Sequence, residues 1–298
     1  MISIMPECGF CKQDVELRNS HVLPAFVFKW LKNRSTGHIR NSDNPNVRVQ
    51  DGAKMPWLCA TCEQLFGVYE TKFATLAFHP WLKGERNIQY ADWLLKFCVS
   101  VSWRVLNYCK GYNPAKVYTD EEEIAIRAAD DRWRKFLSGD VPHPGAFQQH
   151  LLIFDIIEET TVSDMPNNMN RFLLGAITMD IVGSDRSLMT YAKLGRFCIF
   201  GLIRSNPKEW EGTKIHVRNG VLKPGKVVLP YGLLHLFNEK AALANIADMD
   251  MSVAQRDKID RSVEQNIEKL IQSEQFEAIM ADARMFGVGS ITSKISKN

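Results

Sequence analysis

Two Cys-x-x-Cys pairs, separated by 47 residues, constrain the fold of this chain more than any other feature. Each pair allows two thiolates to reach one ion, and two pairs together complete the tetrahedral four-sulfur site of a structural zinc. We therefore predict that one Zn²⁺ is bound by four cysteines: Cys8, Cys11, Cys59 and Cys62. The alternative is a set of redox-active or unrelated thiols, which is the rarer use of this pattern.

Composition and targeting signals restrict where the protein is expected to work. The 298 residues are 45% hydrophobic and 24% charged, as in a globular chain, and the net charge of +3 favours no class of partner. An odd number of cysteines, seven, favours a reducing compartment. The chain starts without the basic and apolar stretches of a signal peptide, and no apolar stretch matches a bilayer span. We expect a cytoplasmic protein with no membrane partner.

The patterning changes along the chain and predicts an α+β fold in three parts. A zinc-bound module surrounds the cysteine pairs, and its second pair is expected to begin a helix, as in ββα and treble-clef folds. Apolar residues then recur at helical spacing from Asp92, and a second helix is bounded by Thr119 and Gly139. The rest predicts a mainly antiparallel sheet with a C-terminal helix and has no assigned role. The predicted boundaries are residues 1–85, 86–140 and 141–298.

Several elements of the third part are predicted from apolar runs and turn residues. A turn at Gly183 is expected to join two antiparallel strands. Ser252 with Gln255 resembles a capping box at a helix start. The predicted elements are strands at 151–157, 172–182 and 188–202, a hairpin between 215–217 and 227–229, and a helix from 252 that carries apolar residues to 271.

A short histidine segment and the second cysteine pair together resemble a known family. The residues that carry the likeness are Ser20-His21-Val22-Leu23-Pro24, Leu58-Cys59, Cys62-Glu63 and Tyr69-Glu70. They resemble the HNH nucleases, in particular a group of bacterial HNH-like proteins, over residues 8 to about 110. The resemblance implies a ββα-metal fold braced by two cysteine pairs. It also implies that His21 is a general base that activates water, and that Mg²⁺ or Mn²⁺ polarises the scissile phosphate.

Two positions depart from the family pattern. Ser20 replaces the acidic neighbour of the histidine, which removes a metal ligand, and Glu63 replaces the asparagine that follows the second pair. Glu63 is a hard oxygen donor for Mg²⁺ or, alternatively, an acid that stabilises the first turn of a helix. Asp51 is a candidate for the missing carboxylate. Glu70 lies about two turns after Glu63 on the same helical face, where solvent exposure is the simpler interpretation.

The stretch between the cysteine pairs is basic and aromatic. Residues 25–58 contain six Lys and Arg against two Asp, and such local charge is what phosphate binding requires. The candidate nucleic-acid-binding residues are Lys29, Lys32, Arg34, Arg40, Arg48 and Lys54. Phe28, Trp30 and Trp57 are candidates for stacking on bases. The alternative is a solvated loop with these aromatic rings packed beneath it.

These features favour a metal-dependent HNH-like endonuclease with DNA as its first expected substrate and RNA as the second. The runner-up function is a catalytically degenerate, zinc-structured module that binds nucleic acid or protein. Unrelated chemistry in the sheet domain is a third option, but no phosphate loop or Ser-His-Asp pattern supports it. A protein partner, an oligomer and a role in bacterial defence are compatible with the sequence and indicated by no residue.

Overall fold

The computed structural model describes residues 5–34, 39–41, 44–49, 51–112 and 116–290. Helices and antiparallel strands both occur in it, which confirms the α+β class. Within these ranges, no helix combines the length and the apolar character needed to cross a membrane. The strands are β1 (Leu17–His21), β2 (Ile39–Asn41), β3 (Asn44–Val49), β4 (Lys54–Cys59), β5 (Ile88–Ala91), β6 (Gln149–Ile153), β7 (Ile177–Ser184), β8 (Ser187–Leu194), β9 (Phe197–Arg204) and β10 (Asn219–Leu222).

The helices surround these strands. The α-helices are α1 (Ala25–Arg34), α2 (Ala60–Phe73), α3 (His79–Leu82), α4 (Asp92–Tyr112), α5 (Asp120–Ser138), α6 (Met169–Gly175), α7 (Leu233–Met249), α8 (Val253–Gln265), α9 (Ile267–Ile271) and α10 (Glu274–Phe286). A π-helical turn at Ala74–Phe78 joins α2 to α3. Short 3₁₀ turns lie at Pro207–Glu209 and Val288–Ser290.

The N-terminal part is built on the antiparallel pair β1–β4, which leads directly into α2. The register opposes Leu17 to Cys59 at one end and His21 to Lys54 at the other. The described residues between the two strands include α1 and the antiparallel pair β2–β3. This topology brings both cysteine pairs to one end of the strand pair and His21 to the other.

The two central helices form where the sequence predicts them. The apolar stripe that begins at Asp92 makes α4, whose side chains Leu94, Phe97 and Val101 are fully buried. Helix α4 packs against α2, α5 and the four-stranded sheet, so it forms the centre of the molecule. Helix α5 begins with a complete Thr119–Glu122 capping box and ends at Gly139, which adopts the left-handed conformation.

The sheet of the C-terminal part has the antiparallel order β6-β9-β8-β7. The predicted turn after Gly183 is confirmed as the β7–β8 hairpin. The predicted strand 188–202 is wrong in one respect, because Gly195 at φ 62° breaks it into β8 and β9. A Cβ at Gly195 would also lie 2.6 Å from the ring of Trp30. Residues 169–175 form α6 where strand 172–182 was predicted to begin.

The C-terminal helices and the predicted hairpin differ from expectation. Ile215 donates its N–H to Gln149 O beside β6, and β10 pairs with the distant β5, so the 215–229 hairpin prediction is wrong. Ser252 begins α8 without a side-chain cap hydrogen bond. The predicted helix is interrupted at Asn266, which separates α8 from α9. Helices α7 and α10 were not predicted individually.

Two buried apolar clusters lie on the two faces of the sheet. The larger one contains residues from all three predicted segments, from Cys8 through Trp103 to Leu222. The smaller one joins the sheet to α6 and α7 and includes Tyr191 and Phe237. The boundaries near residues 85 and 140 stay predictions.

A buried histidine in β6 makes stability depend on pH. His150 is 1% exposed, its Nδ1 lies 2.9 Å from Thr213 Oγ1, and burial, aided by Lys214, lowers its pKa to about 4. The unfolded chain binds this proton below about pH 6.5 and the folded protein only near pH 4. The resulting stability is therefore complete above pH 6.5 and is lost as pH falls, by up to about 3 kcal/mol.

We expect the His150→Gln variant to show a smaller fall in unfolding free energy than the parent between pH 7 and pH 4. Urea titrations at several pH values measure the difference, and other titrating groups cancel in the comparison. Parallel pH profiles for the two proteins would contradict this account of His150.

Candidate metal centre and the His21–Asp51 pair

The four predicted cysteines converge. Cys8 and Cys11 lie in a turn before β1, Cys59 ends β4, and Cys62 lies in the first turn of α2. Their four Sγ atoms are all within 4.8 Å of one another, and Cys11 Sγ lies 3.9 Å from Cys59 Sγ. Zinc–sulfur bonds of about 2.3 Å in a tetrahedron place sulfurs roughly 3.8 Å apart. The cluster could therefore hold a metal ion such as Zn²⁺.

The electrostatics of the cluster favour a bound cation. Burial acts to raise the pKa of Cys8, but backbone N–H groups of Cys11, Cys59 and Phe10 outweigh it and lower that pKa to about 7. The Cys59 N–H donates to Cys8 Sγ at 3.3 Å. Burial and the neighbouring sulfurs raise the pKa of Cys62, because a second thiolate here is repelled. A divalent cation relieves this repulsion and satisfies both thiolates.

Aromatic rings attach the cysteine turn to the central helix. Trp57 stacks on Trp103 of α4 at 5.0 Å between ring centroids, and Phe10 contacts Phe66 at 5.1 Å. A Cβ at Gly9 would lie 2.0 Å from the indole nitrogen of Trp57, so the turn approaches the ring too closely for any other residue. The cysteine cluster is thus part of the core.

His21 and Asp51 come together at the opposite end of β1. His21 Nε2 lies 3.0 Å from Asp51 Oδ2, and the same oxygen lies 2.7 Å from Lys54 Nζ. The Gly52 N–H donates to Asp51 Oδ1 at 2.9 Å. Burial acts to raise the pKa of Asp51, but the Lys54, His21 and Gly52 interactions outweigh it and lower that pKa to about 2. The carboxylate is thus a fixed negative charge beside an imidazole that is 19% exposed.

A buried arginine connects His21 to α2. Arg104 of α4 is 3% exposed in its side chain, and its Nη1 lies 2.6 Å from Glu70 Oε1 and donates to His21 O at 3.2 Å. Its Nε donates to Ser100 O. The sequence analysis did not identify Arg104. The available signal was a charge on the buried side of an apolar helix, which requires a partner.

The structure does not bring Glu63 or the Ser20 hydroxyl to His21. Ser20 is 1% exposed and donates to Arg18 O at 3.3 Å within its own strand. Glu63 lies in the first turn of α2, at the cysteine end of the strand pair. The four residue steps of β1 from Leu17, opposite Cys59, to His21, opposite Lys54, span roughly 13 Å. Glu70, two turns further along α2, is the helix carboxylate connected to His21.

The predicted basic residues have different environments. Lys29 is exposed and Lys32 half-buried on α1, and Lys54 is paired with Asp51. Arg34 is half-buried: its Nη1 donates to Leu174 O at 2.8 Å, its guanidinium lies over the ring of Trp30, and burial lowers its pKa to about 10. The side chains of Arg40 and Arg48 lie outside the description, although the two residues oppose each other across β2–β3.

The base-stacking prediction is not supported for two of the three aromatic rings. Phe28 is 8% and Trp57 7% exposed, and both belong to the larger apolar cluster. Trp30 is half-buried and packs edge-on against Phe78. The structure thus agrees with the alternative, in which these rings pack beneath the basic loop.

Comparisons with known proteins identify no relative of this chain. No protein-family model, curated protein or solved structure matches the chain.

Proposed function

We propose that this chain is an HNH-like nuclease that hydrolyses phosphodiester bonds, with one structural Zn²⁺ on its four cysteines and His21 as the general base. The observation that carries the proposal is the 3.0 Å approach of Asp51 Oδ2 to His21 Nε2. The two atoms lie at ion-pair distance without an aligned hydrogen bond, and His21 Nε2 is buried with no hydrogen-bond partner. In the proposal, alignment of this pair fixes the orientation and tautomer of a histidine that acts through its other ring nitrogen.

The order of the elements supports the same proposal. Strand β1 ends at His21, pairs with β4, and β4 leads into α2, which gives a strand–strand–helix unit with the cysteines at one end. A zinc site bracing this unit would hold β1 and α2 in a fixed relation. In the proposal, this unit is the ββα arrangement that the sequence resemblance implies.

The proposed step uses Nδ1, the ring nitrogen of His21 that does not face Asp51. A proton on Nε2, facing Asp51, leaves Nδ1 as the acceptor for a proton from water. The water oxygen bonds to phosphorus while the bond from phosphorus to one sugar oxygen breaks. One proton of the water goes to Nδ1, and the leaving oxygen takes a proton from solvent. Asp51 stabilises the imidazolium that forms.

Phosphate contacts in the proposal come from the cations that remain accessible. Lys29 is exposed on α1, and Lys54 lies across from His21 in the β1–β4 register. The first-choice substrate is DNA, with RNA as the second, because phosphate charge is common to both.

The donors near His21 do not fit the Mg²⁺ or Mn²⁺ ion that the family implies. Both carboxylate oxygens of Asp51 are engaged, by Lys54, His21 and the Gly52 N–H. Glu70 is paired with Arg104. Among the described residues, the four cysteines are the one group of three or more metal-ligating side chains close enough to share an ion. The proposed step therefore uses no second metal.

The pairing of the carboxylates near His21 with basic side chains favours a second candidate function, a nucleic-acid-binding module without catalysis. Carboxylates that are neutralised by Lys54 and Arg104 form a structural network as readily as a catalytic one. In that case the zinc-braced unit would bind phosphates through the α1 lysines and leave the strand intact.

The deciding experiment combines cleavage and binding on the same substrates. We expect the protein to cleave plasmid, linear or single-stranded nucleic acid, and His21→Ala to reduce the rate by about 10²–10⁴-fold, the usual contribution of a general base. Asp51→Asn should also reduce the rate, because it removes the charge that stabilises the imidazolium. His235 is exposed on α7, and the His235→Ala variant should cleave like the parent. Cleavage that survives His21→Ala would remove this histidine from the mechanism. Binding without cleavage under any condition would support the second function.

A further inference from the structure

Lys54 occupies an unusual position beside the proposed general base. The β1–β4 register makes it the cross-strand partner of His21, and side chains of directly opposed residues lie on the same face of a strand pair. Its ammonium and the His21 ring both contact Asp51 Oδ2, at 2.7 Å and 3.0 Å. Lys54 remains 33% exposed, so its ammonium can also reach a ligand.

The charges around His21 are already balanced by side chains. Asp51 carries one negative charge and faces the Lys54 ammonium, and Glu70 carries another and faces Arg104. A divalent cation bound by Asp51 would lie beside the Lys54 ammonium on the same oxygen, where two positive charges repel. On Oδ2 the ion would share the oxygen with His21 and Lys54, and on Oδ1 it would share it with the Gly52 N–H.

We infer that Lys54 supplies, at the His21 site, the positive charge that a divalent ion supplies in other HNH-like enzymes, so that cleavage by this chain needs no divalent cation there. The inference rests on the proposed nuclease function and specifies its charge-stabilising residue. An ammonium has three donors, so Lys54 can keep its bond to Asp51 and donate another to a non-bridging phosphate oxygen. That contact strengthens as negative charge accumulates on the phosphoryl group during water attack.

The activity test compares cleavage with and without divalent cations. We expect the parent protein to cleave at the same rate in Mg²⁺ and in excess EDTA, with zinc content measured after the assay to show that the cysteine site is still loaded. Lys54→Gln should lower kcat by about 10²–10³-fold, as loss of one charge-stabilising donor does, and Lys54→Arg should recover part of it. Lys83→Gln, an exposed position after α3, is the control and should leave kcat unchanged. Cleavage that stops in EDTA while zinc is retained would overturn the inference.

A second test does not depend on activity. In protein labelled at histidine, paramagnetic Mn²⁺ broadens NMR signals of rings close to its binding site, and the His21→Gln variant assigns the His21 signal. We expect Mn²⁺ to broaden the His21 and His235 rings of the parent equally, and to broaden His21 selectively in Lys54→Ala, where Asp51 is released.

Each outcome of the Mn²⁺ titration decides the inference. Selective broadening of His21 in the parent would show a divalent site and overturn it. The absence of selective broadening in Lys54→Ala would show that Lys54 is not what excludes the ion. If no nucleic acid is cleaved under any condition, the nuclease proposal fails, while the titration still shows whether Lys54 occupies the place of a cation.

Discussion

Replacing Cys59 with serine is expected to remove bound zinc and unfold the N-terminal part of the protein. Cys59 ends β4 and is the N-cap residue of α2, which places its Sγ in the four-sulfur cluster, and serine removes that sulfur. Structural zinc binding contributes about 10–16 kcal/mol in small zinc domains, and that free energy is available only to the folded site. The parent should contain roughly one zinc per chain, and Cys59→Ser close to none.

Metal analysis and limited proteolysis measure the two parts of this prediction. Cleavage sites in Cys59→Ser should concentrate before residue 85, where β1, β4 and α2 are held together by the cysteine cluster. Cys109→Ser is the matched control, because Cys109 is a partly buried cysteine near the end of α4, outside the cluster. A Cys59→Ser protein that retains one zinc, or that resists protease like the parent, would contradict a structural role for the site.

Replacing Asp282 with alanine is expected to give the second-largest effect, a loss of about 3–5 kcal/mol in unfolding free energy. Asp282 of α10 is fully buried, and its carboxylate accepts the Asn170 N–H at 2.8 Å and the Arg171 N–H at 3.2 Å. It also accepts Arg171 Nε at 2.9 Å. These backbone donors belong to the first turn of α6, where no intrahelical acceptor exists and the helix dipole favours an anion.

Urea unfolding of three variants separates charge from packing at this position. Asp282→Asn keeps the shape of the side chain and one acceptor oxygen. Its unfolding free energy should therefore lie between that of the parent and that of Asp282→Ala. Asp260→Ala, at an exposed position of α8, should change stability by less than about 0.5 kcal/mol. Equal stability of Asp282→Ala and Asp260→Ala would mean that this carboxylate does not hold α10 to α6.

Elements with complete local signals were predicted correctly. Thr119, the acids that follow it and Gly139 specify both ends of α5 from residues within the helix itself, because capping interactions extend only one turn. The apolar stripe from Asp92 gave α4 for a similar reason.

Elements that depend on distant partners were predicted wrongly. Asn168 precedes α6 as its N-cap residue but makes no side-chain cap hydrogen bond. The N–H of Asn170 in the first turn is instead bonded to Asp282, which lies 112 residues further along the chain. Likewise β10 finds its partner in β5 rather than in the adjacent chain, because pairing depends on which strand edge the core leaves open.

The site shows the same division. The cysteine spacing alone indicated a cluster able to hold an ion, because two residues between thiolates are enough to bring them to one centre. Glu63 was chosen by its place after the second pair, but the β1–β4 register leaves it at the cysteine end. The sequence suggested Asp51 as a replacement for a metal-binding carboxylate. The structure places it 3.0 Å from His21 Nε2, with Lys54 and the Gly52 N–H as its other partners.

The sequence by itself therefore determined the four-cysteine cluster, the α+β class and the helices α4 and α5, since spacing, periodicity and capping act over a few residues. Only the tertiary structure decided what surrounds His21. The strand register places Lys54 beside the His21 ring, and the loop before β4 places Asp51 there. Arg104, from a different helix, connects Glu70 to the His21 carbonyl. These are long-range contacts, and they exist only once the strands and helices have packed.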